Sequence, residues 1–163
     1  MALDTGCQIN AGVQLYDARI FGLASQRVAL VNTQYQQVFT DGSGAGQAQK
    51  AYVAVRTLAG SSESLDLNGV LTDLFGTTLA AVRVKGLTIK NTCAAHTLTF
   101  VTSGSNGWTT FISGTLTLPA GAFLGAAAAD AIGWTVTAGT GDLLVVNGAA
   151  SDTYEITVLI ATA

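Results

Sequence analysis

Apolar and polar residues alternate along much of the second half of the chain. The longest alternating run covers residues 153–160, where Tyr154, Ile156, Val158 and Ile160 occupy every second position. A period of two is typical of a strand that buries one face and exposes the other. Shorter runs with threonine at the outward positions occur at 97–100, 115–118 and 132–137. The pattern therefore predicts several half-buried β-strands.

The alternation changes phase around Gly86. Val82 and Val84 lie on even positions, whereas Leu87 and Ile89 lie on odd positions. One extra residue in a strand, a β-bulge, produces such a shift. We therefore predict a bulge at Gly86.

Turn-forming residues separate the alternating runs. The clearest are three Asn-Gly pairs and one proline-containing segment: Asn68-Gly69, Asn106-Gly107, Asn147-Gly148 and Pro119-Ala-Gly121. The Asn-Gly pairs favour turns with positive φ, and Pro119-Ala-Gly121 predicts a further bend. Strands joined by such turns are typical of an antiparallel β-sandwich. The scarcity of the helix formers Glu, Lys and Met agrees with an all-β fold.

The first 64 residues alternate less and contain many glutamines. Residues 27–39 and 47–59 are predicted to be a pair of strands around the glycine-rich segment 41–46. Residues 1–25 fit no period and are predicted to be an arm or a short irregular lead-in. We thus expect an N-terminal arm and first strand over 1–40, and a β-sandwich domain over 41–163.

Charged residues make up only 10% of the 163 residues, compared with about 25% in an average soluble domain. The net charge is −3, and all seven Lys and Arg residues precede position 91. Nucleic acid is therefore not an expected partner, since phosphate binding requires clustered cations. No apolar run approaches the roughly 20 residues that span a bilayer, so no membrane partner is expected either.

Cys7 and Cys93 are interpreted as free thiols, because two cysteines form no disulfide framework or zinc pattern.

Three groups of residues are candidates for catalytic or binding chemistry. The segment from Gly42 to Gly46 lacks the Gly-Lys-Ser/Thr ending of a phosphate-binding loop, which favours a flexible connection. Cys93 and His96 have the spacing of metal ligands, but structural zinc takes about four ligands. Cys93 and His96 form a nucleophilic site only if a carboxylate lies beside them. The Gly-x-Ser-x-Gly motif that marks a serine nucleophile is not present. A pair of carboxylates for glycoside cleavage stays an open alternative, because the distance between two acidic side chains is not visible in the sequence. An enzyme is the least favoured hypothesis.

Two tryptophans have a structural and a functional interpretation. Burial in the core or in an interface is favoured for Trp108 and Trp134, because large aromatic side chains mostly stabilise by burial. The alternative is a carbohydrate-binding β-sandwich module in which Trp108 contacts sugar rings.

Several turn and strand-end motifs are shared with a known family. They are Asp41-Gly-Ser-Gly-Ala-Gly46, Arg56-Thr-Leu-Ala59, Leu65-Asp-Leu67, Leu87-Thr-Ile-Lys-Asn91, Thr117-Leu-Pro-Ala-Gly121, Gly133-Trp-Thr-Val-Thr-Ala-Gly139 and Asp142-Leu-Leu144. In these motifs the chain resembles the small capsid decoration (cement) and virion structural proteins of tailed bacteriophages. The resemblance implies a jelly-roll β-sandwich and a homo-oligomer, commonly a homotrimer, without cofactors or catalytic residues.

The resemblance implies a non-enzymatic protein on the outer surface of the virion capsid, made in the host cytoplasm. Its partner is expected to be the major capsid protein, whose subunits it bridges on the assembled head. The alternative is a tail, baseplate or fibre component. Contact residues are expected where the chain is least packed against itself, in the arm and in the 41–46 loop, together with Trp108: Tyr16, Arg19, Phe21, Asp41, Gly42, Gly44, Gly46 and Trp108.

Overall fold

A computed structural model describes the backbone of residues 7–21, 24–102, 104 and 106–163, and the side chains of these residues except 7 and 13–32. This part of the chain contains twelve β-strands and no helix. The strands are β1 (Cys7–Phe21), β2 (Ala24–Asp41), β3 (Gln47–Ala48), β4 (Lys50–Thr57), β5 (Ser62–Asp66), β6 (Arg83–Asn91), β7 (Leu98–Val101), β8 (Thr115–Leu118), β9 (Phe123–Ala127), β10 (Trp134–Thr135), β11 (Leu143–Asn147) and β12 (Thr153–Ala161).

Two antiparallel sheets pack against each other and form the main domain. The five-stranded sheet has the order β10-β6-β12-β4, with β9 pairing with β6 as well, and the four-stranded sheet has the order β5-β11-β7-β8. One apolar core contains buried residues of both sheets, such as Ile89 and Ile156 from the first and Phe100 and Val146 from the second. The predicted all-β, antiparallel class is confirmed, and the arrangement is consistent with a β-sandwich.

The alternating runs form strands at nearly the predicted positions. In β12, Tyr154, Ile156, Val158 and Ile160 are all buried, as the period of two predicted. The run at 132–137 is the exception, because only Trp134–Thr135 pairs with β6.

The predicted bulge lies beside Gly86 and has a consequence for its neighbour. Leu159 pairs with Gly86 and Ile160 pairs with Val84, so Lys85 is the extra residue. Its side chain is fully buried, and its Nζ donates a hydrogen bond to the carbonyl oxygen of Asp130. The bulge thus places an ammonium group beneath the connection between β9 and β10.

Burial lowers the pKa of Lys85 below the ordinary 10.5, although the Asp130 carboxylate partly opposes this. The folded state therefore binds fewer protons than the unfolded state between the two pKa values, so Lys85 contributes stability that rises with pH there. We expect the free energy of unfolding of the wild type, minus that of Lys85→Met, to increase with pH in this alkaline window. Urea titrations at several pH values measure it, and a constant difference would contradict the assignment.

The N-terminal part forms a ribbon, which differs from the prediction. β1 pairs with β2 from Cys7 opposite Phe39 to Phe21 opposite Ala24, so residues 7–21 form one long strand with a register shift between Leu15 and Tyr16. The expected pairing of 27–39 with 47–59 is wrong, because β4 pairs with β12. Within 47–59, only the short β3 pairs with β2, and it does so in parallel. Most described side chains at the base of the ribbon are exposed, including 10–12 and 33–36. Because the pairing register of β1 shifts, a single period of two does not extend through the whole strand.

The turn glycines fall into two groups. Gly121 lies in the bend predicted at Pro119-Ala-Gly121 and has a positive φ of 74°. The prediction is wrong for Gly69 and Gly148, which lie outside the left-handed region. These two positions are crowded instead, because a Cβ there would force the carboxylate of Asp66 or the side chain of Leu98, respectively, to shift.

Candidate interaction surface

The outward side of the five-stranded sheet carries three cross-strand rows of side chains. From β4 across β12 and β6 to β9, the first row is Val55, Glu155, Lys90 and Phe123; the second is Val53, Thr157, Thr88 and Gly125; the third is Ala51, Leu159, Gly86 and Ala127. Cross-strand neighbours in one row lie close enough to act as a unit. The three rows therefore define one continuous face.

The base of the ribbon covers the third row except for Ala127, which is exposed. Phe39 and Leu159 are buried there with Ala48 and Ala51, and Ile9 packs against this small cluster. Gly86 makes the approach possible, because a Cβ at that position would lie 2.5 Å from Cδ1 of Ile9. The ribbon is thus fixed to the domain by apolar contacts at its base.

The first two rows, which we call the open rows, remain uncovered by the described residues. Val53 is 49% exposed, Val55 74% and Phe123 73%. Val53 and Val55 adjoin each other on β4, and Phe123 lies at the other end of the first row, beyond Glu155 and Lys90. Adjoining exposed apolar side chains mark interaction surfaces more often than isolated ones do. Glu155 and Lys90 lie opposite each other within the first row, so this surface carries both signs of charge.

A cavity of about 240 Å³ opens between the ribbon base and the open rows. We call it the wedge, and its lining is mostly apolar. Asn10 and Ala11 of β1 form one side, and the open rows from Thr88 and Thr157 to Phe123 form the other. Apolar concave sites with a few polar groups are typical binding sites. The wedge is therefore a candidate binding site formed by described residues.

The 41–46 loop is packed more tightly than the sequence suggested. Gln47 Oε1 accepts a hydrogen bond from the Gly44 N–H at 2.8 Å, and its amide group fills the space beside Gly42. The Gly46 N–H donates to Ala129 O at 2.7 Å, which fixes the loop to the connection after β9. The expectation that this loop is weakly self-packed is wrong. Asp41 is exposed at the end of β2 and stays available for contacts.

The remaining predicted contact residues have different outcomes. Tyr16, Arg19 and Phe21 lie in β1, but their side chains lie outside the described residues. Trp108 is fully buried, stacks on Phe111 with ring centroids 5.2 Å apart, and is thus removed from the candidate surface. The sugar-contact interpretation of Trp108 fails for the same reason.

Cys93 and His96 lie in the connection between β6 and β7 rather than on a strand. Asp152 joins them: its Oδ1 lies 2.6 Å from His96 Nδ1. Burial raises the pKa of the Cys93 thiol, and the Asp152 carboxylate adds to the rise. A nucleophilic cysteine requires a lowered pKa. The hydrogen bond from the Ala149 N–H lowers the pKa of Asp152 most, and His96 lowers it further. The main partner of the Asp152 carboxylate is therefore the backbone of its own turn, which is a structural contact.

A second polar group joins the two sheets. Tyr154 OH donates to Glu63 Oε2 at 2.8 Å, and Arg56 forms an ion pair with Glu63 Oε1. Burial raises the pKa of Tyr154 to about 12, although Arg56 opposes the shift. The phenol therefore stays protonated near neutral pH and serves as a hydrogen-bond donor across the core.

Within the described ranges, no three His, Cys, Asp or Glu side chains form a group that could hold a metal ion. The same residues include no helix long and apolar enough to cross a membrane. A scan against protein-family models and searches of curated proteins and of solved structures found no match to this chain.

Sequence reasoning missed the open rows and the wedge. One signal was present: β4 is apolar at both inward and outward positions, with Val53 and Val55 on the outward side. The Ala-rich sequence of β9 gave no sign that Phe123 is exposed, because the exposure of this side chain depends on where the ribbon crosses the sheet.

Proposed function

We propose that the two sheets form a jelly roll. Eight strands pair in a nested order, first with last and so inward: β4 with β12, β5 with β11, β6 with β9, and β7 with β8. A chain folded as one long hairpin and then wrapped produces this nesting. Jelly rolls occur in viral capsid proteins, lectins and cupins, so the topology alone does not decide the function.

We further propose that the protein is a non-enzymatic capsid decoration or cement protein of a tailed bacteriophage, located on the outer surface of the virion. The ribbon carries this proposal. Its 15-residue strand β1 extends for about 50 Å at roughly 3.4 Å per residue. A two-stranded ribbon is at best marginally stable by itself in water. A ribbon of this length, fixed at its base, is suited to lie across neighbouring major capsid protein subunits.

Low charge supports the same role. A surface with a net charge of only −3 creates little repulsion when copies pack closely on a shell. A site present only on the assembled lattice stabilises that lattice by mass action. Several ribbons in one oligomer add avidity without requiring a tight single contact.

A shortened ribbon tests the proposal. Gly12 lies opposite Gln34, so an Asn-Gly turn can replace residues 13–33 and leave Ile9 and Phe39 in place. We expect the wild type to bind shells that lack it and to raise their heat resistance, and the shortened variant to bind about tenfold or more weakly. Sedimentation with the shells measures binding, and thermal release of their contents measures resistance.

Unfolding curves of both proteins provide the control, because the shortened variant should retain the cooperative transition of the domain. Normal shell binding by the shortened variant would overturn the role of the ribbon. Failure of the wild type to bind shells, or its location in the tail by particle microscopy, would overturn the decoration function.

A further inference from the structure

An apolar knob projects from the connection between β5 and β6. The side chains of Leu74 and Phe75, which we call the knob, are 61% and 62% exposed. Large apolar side chains seldom remain this exposed side by side unless they serve an interaction.

The knob is held in place rather than loose. Asp73 Oδ1 accepts hydrogen bonds from the N–H groups of Phe75 and Thr77, both at 2.9 Å. The Asp73 N–H donates to Thr77 O at 2.8 Å and closes the turn. Lys50 Nζ donates to Thr78 O at 2.6 Å, which ties the turn to β4. A preorganised contact loses less conformational entropy on binding than a flexible one.

The knob and the wedge are separate features of the five-stranded sheet. The Leu74 N–H donates to Ala51 O at 3.3 Å, so the knob adjoins the edge strand β4. The wedge is lined by residues of β9, β6 and β12 together with Asn10 and Ala11, and neither Leu74 nor Phe75 lines it. The knob therefore does not fill the wedge of its own copy, but it can enter that of a second copy.

Their charges are complementary. Asp73 and Lys50 flank the knob, and Lys90 and Glu155 line the wedge. Partial desolvation raises the pKa of Asp73, but the N–H groups of Thr77 and Phe75 outweigh it and lower the pKa overall. Each feature thus carries one acidic and one basic group, and one relative orientation of two copies brings opposite charges together. Such pairing favours that orientation over the reverse one.

We propose that the knob of one copy docks into the wedge of a second copy. The contact is heterologous, because two different surface regions meet, and repetition closes a ring if the rotation permits. This inference deepens the proposed function, on which it rests, by naming the contact that builds the oligomer. Phe75 fills the wedge against Ala11 and Phe123, while Leu74 covers the open rows beside it.

Single substitutions in the free, full-length protein test this contact. We expect the wild type to self-associate, and Phe75→Asp and Phe123→Asp each to weaken association by about 30-fold or more, as for a central interface residue. Ile132→Asp is the matched control, since Ile132 is 66% exposed and lies outside both features. Light scattering over a concentration series gives the dissociation constants, and circular dichroism verifies folding.

Mixing the two variants distinguishes this contact from a symmetric one. Phe75→Asp retains its wedge and Phe123→Asp retains its knob, so the mixture should form a mixed dimer that grows no further. A wild type that stays monomeric, equal association of all variants, or a mixture that stays monomeric would overturn the inference. A monomeric wild type that binds shells would overturn the contact between copies but not the decoration function. A wild type that associates but does not bind shells would overturn the decoration function but not the contact.

Discussion

Replacing Trp108 with alanine is expected to destabilise the domain by about 3–5 kcal/mol. Its side chain is fully buried, and its Nε1 donates to Thr135 O at 2.9 Å. Phe111 stacks on one face of Trp108 and packs edge-on against Trp134 at 5.0 Å, so the truncation leaves a cavity beneath a chain of aromatic contacts. Urea unfolding followed by far-ultraviolet circular dichroism measures the loss.

Trp108→Phe is the informative companion variant. It retains most of the apolar volume and removes the indole N–H, while Thr110 Oγ1 still donates to Thr135 O at 2.6 Å. We expect a loss of about 1–2 kcal/mol, smaller than that of the alanine variant. An alanine variant as stable as the wild type would show that Trp108 is not part of the core.

The second large effect is expected for Asn91→Asp. Asn91 is fully buried, and its Nδ2 donates to His96 O at 2.8 Å and to Leu118 O at 2.9 Å. Its Oδ1 accepts from the Cys93 N–H at 2.9 Å. An ionised aspartate would direct an anionic oxygen at two carbonyl oxygens, and we expect a loss of about 3–5 kcal/mol at neutral pH.

The loss depends on pH in a defined direction. The buried carboxyl must have a folded-state pKa above its unfolded value of about 3.9, so the folded state of the variant binds the extra proton. Its instability relative to the wild type therefore shrinks as the pH falls through that raised value. Asn68→Asp makes the same charge change at a half-buried amide that donates to Ala81 O. Equal losses at both positions would contradict the role assigned to the Asn91 contacts.

The strands of the domain were predictable because their signal is local. Alternation assigned the inward side chains of β12, and the phase change around Gly86 located the bulge. The burial of Lys85 could not be predicted, because a lysine adjoining a bulge turns inward only if a carbonyl such as Asp130 O meets it.

The candidate surface was predicted only in part. The sequence indicated an N-terminal arm, but not that β1 pairs with β2 as a ribbon. It favoured the 41–46 loop as a contact, whereas Gln47 packs beneath that loop. The sequence allowed either a core or a surface position for Trp108, and the structure places it in the core, where it stacks against Phe111.

By itself, the sequence determined the all-β class, the inward face of most strands and the scarcity of charge, because each depends on residues close together in the chain. Only the tertiary structure decided which strands pair and which apolar residues remain uncovered. β4 and β12 pair with each other although they lie at opposite ends of the domain's sequence. The ribbon base covers most of one row of the sheet and leaves Val55 and Phe123 exposed. Such contacts depend on the simultaneous position of distant segments, which no local pattern encodes.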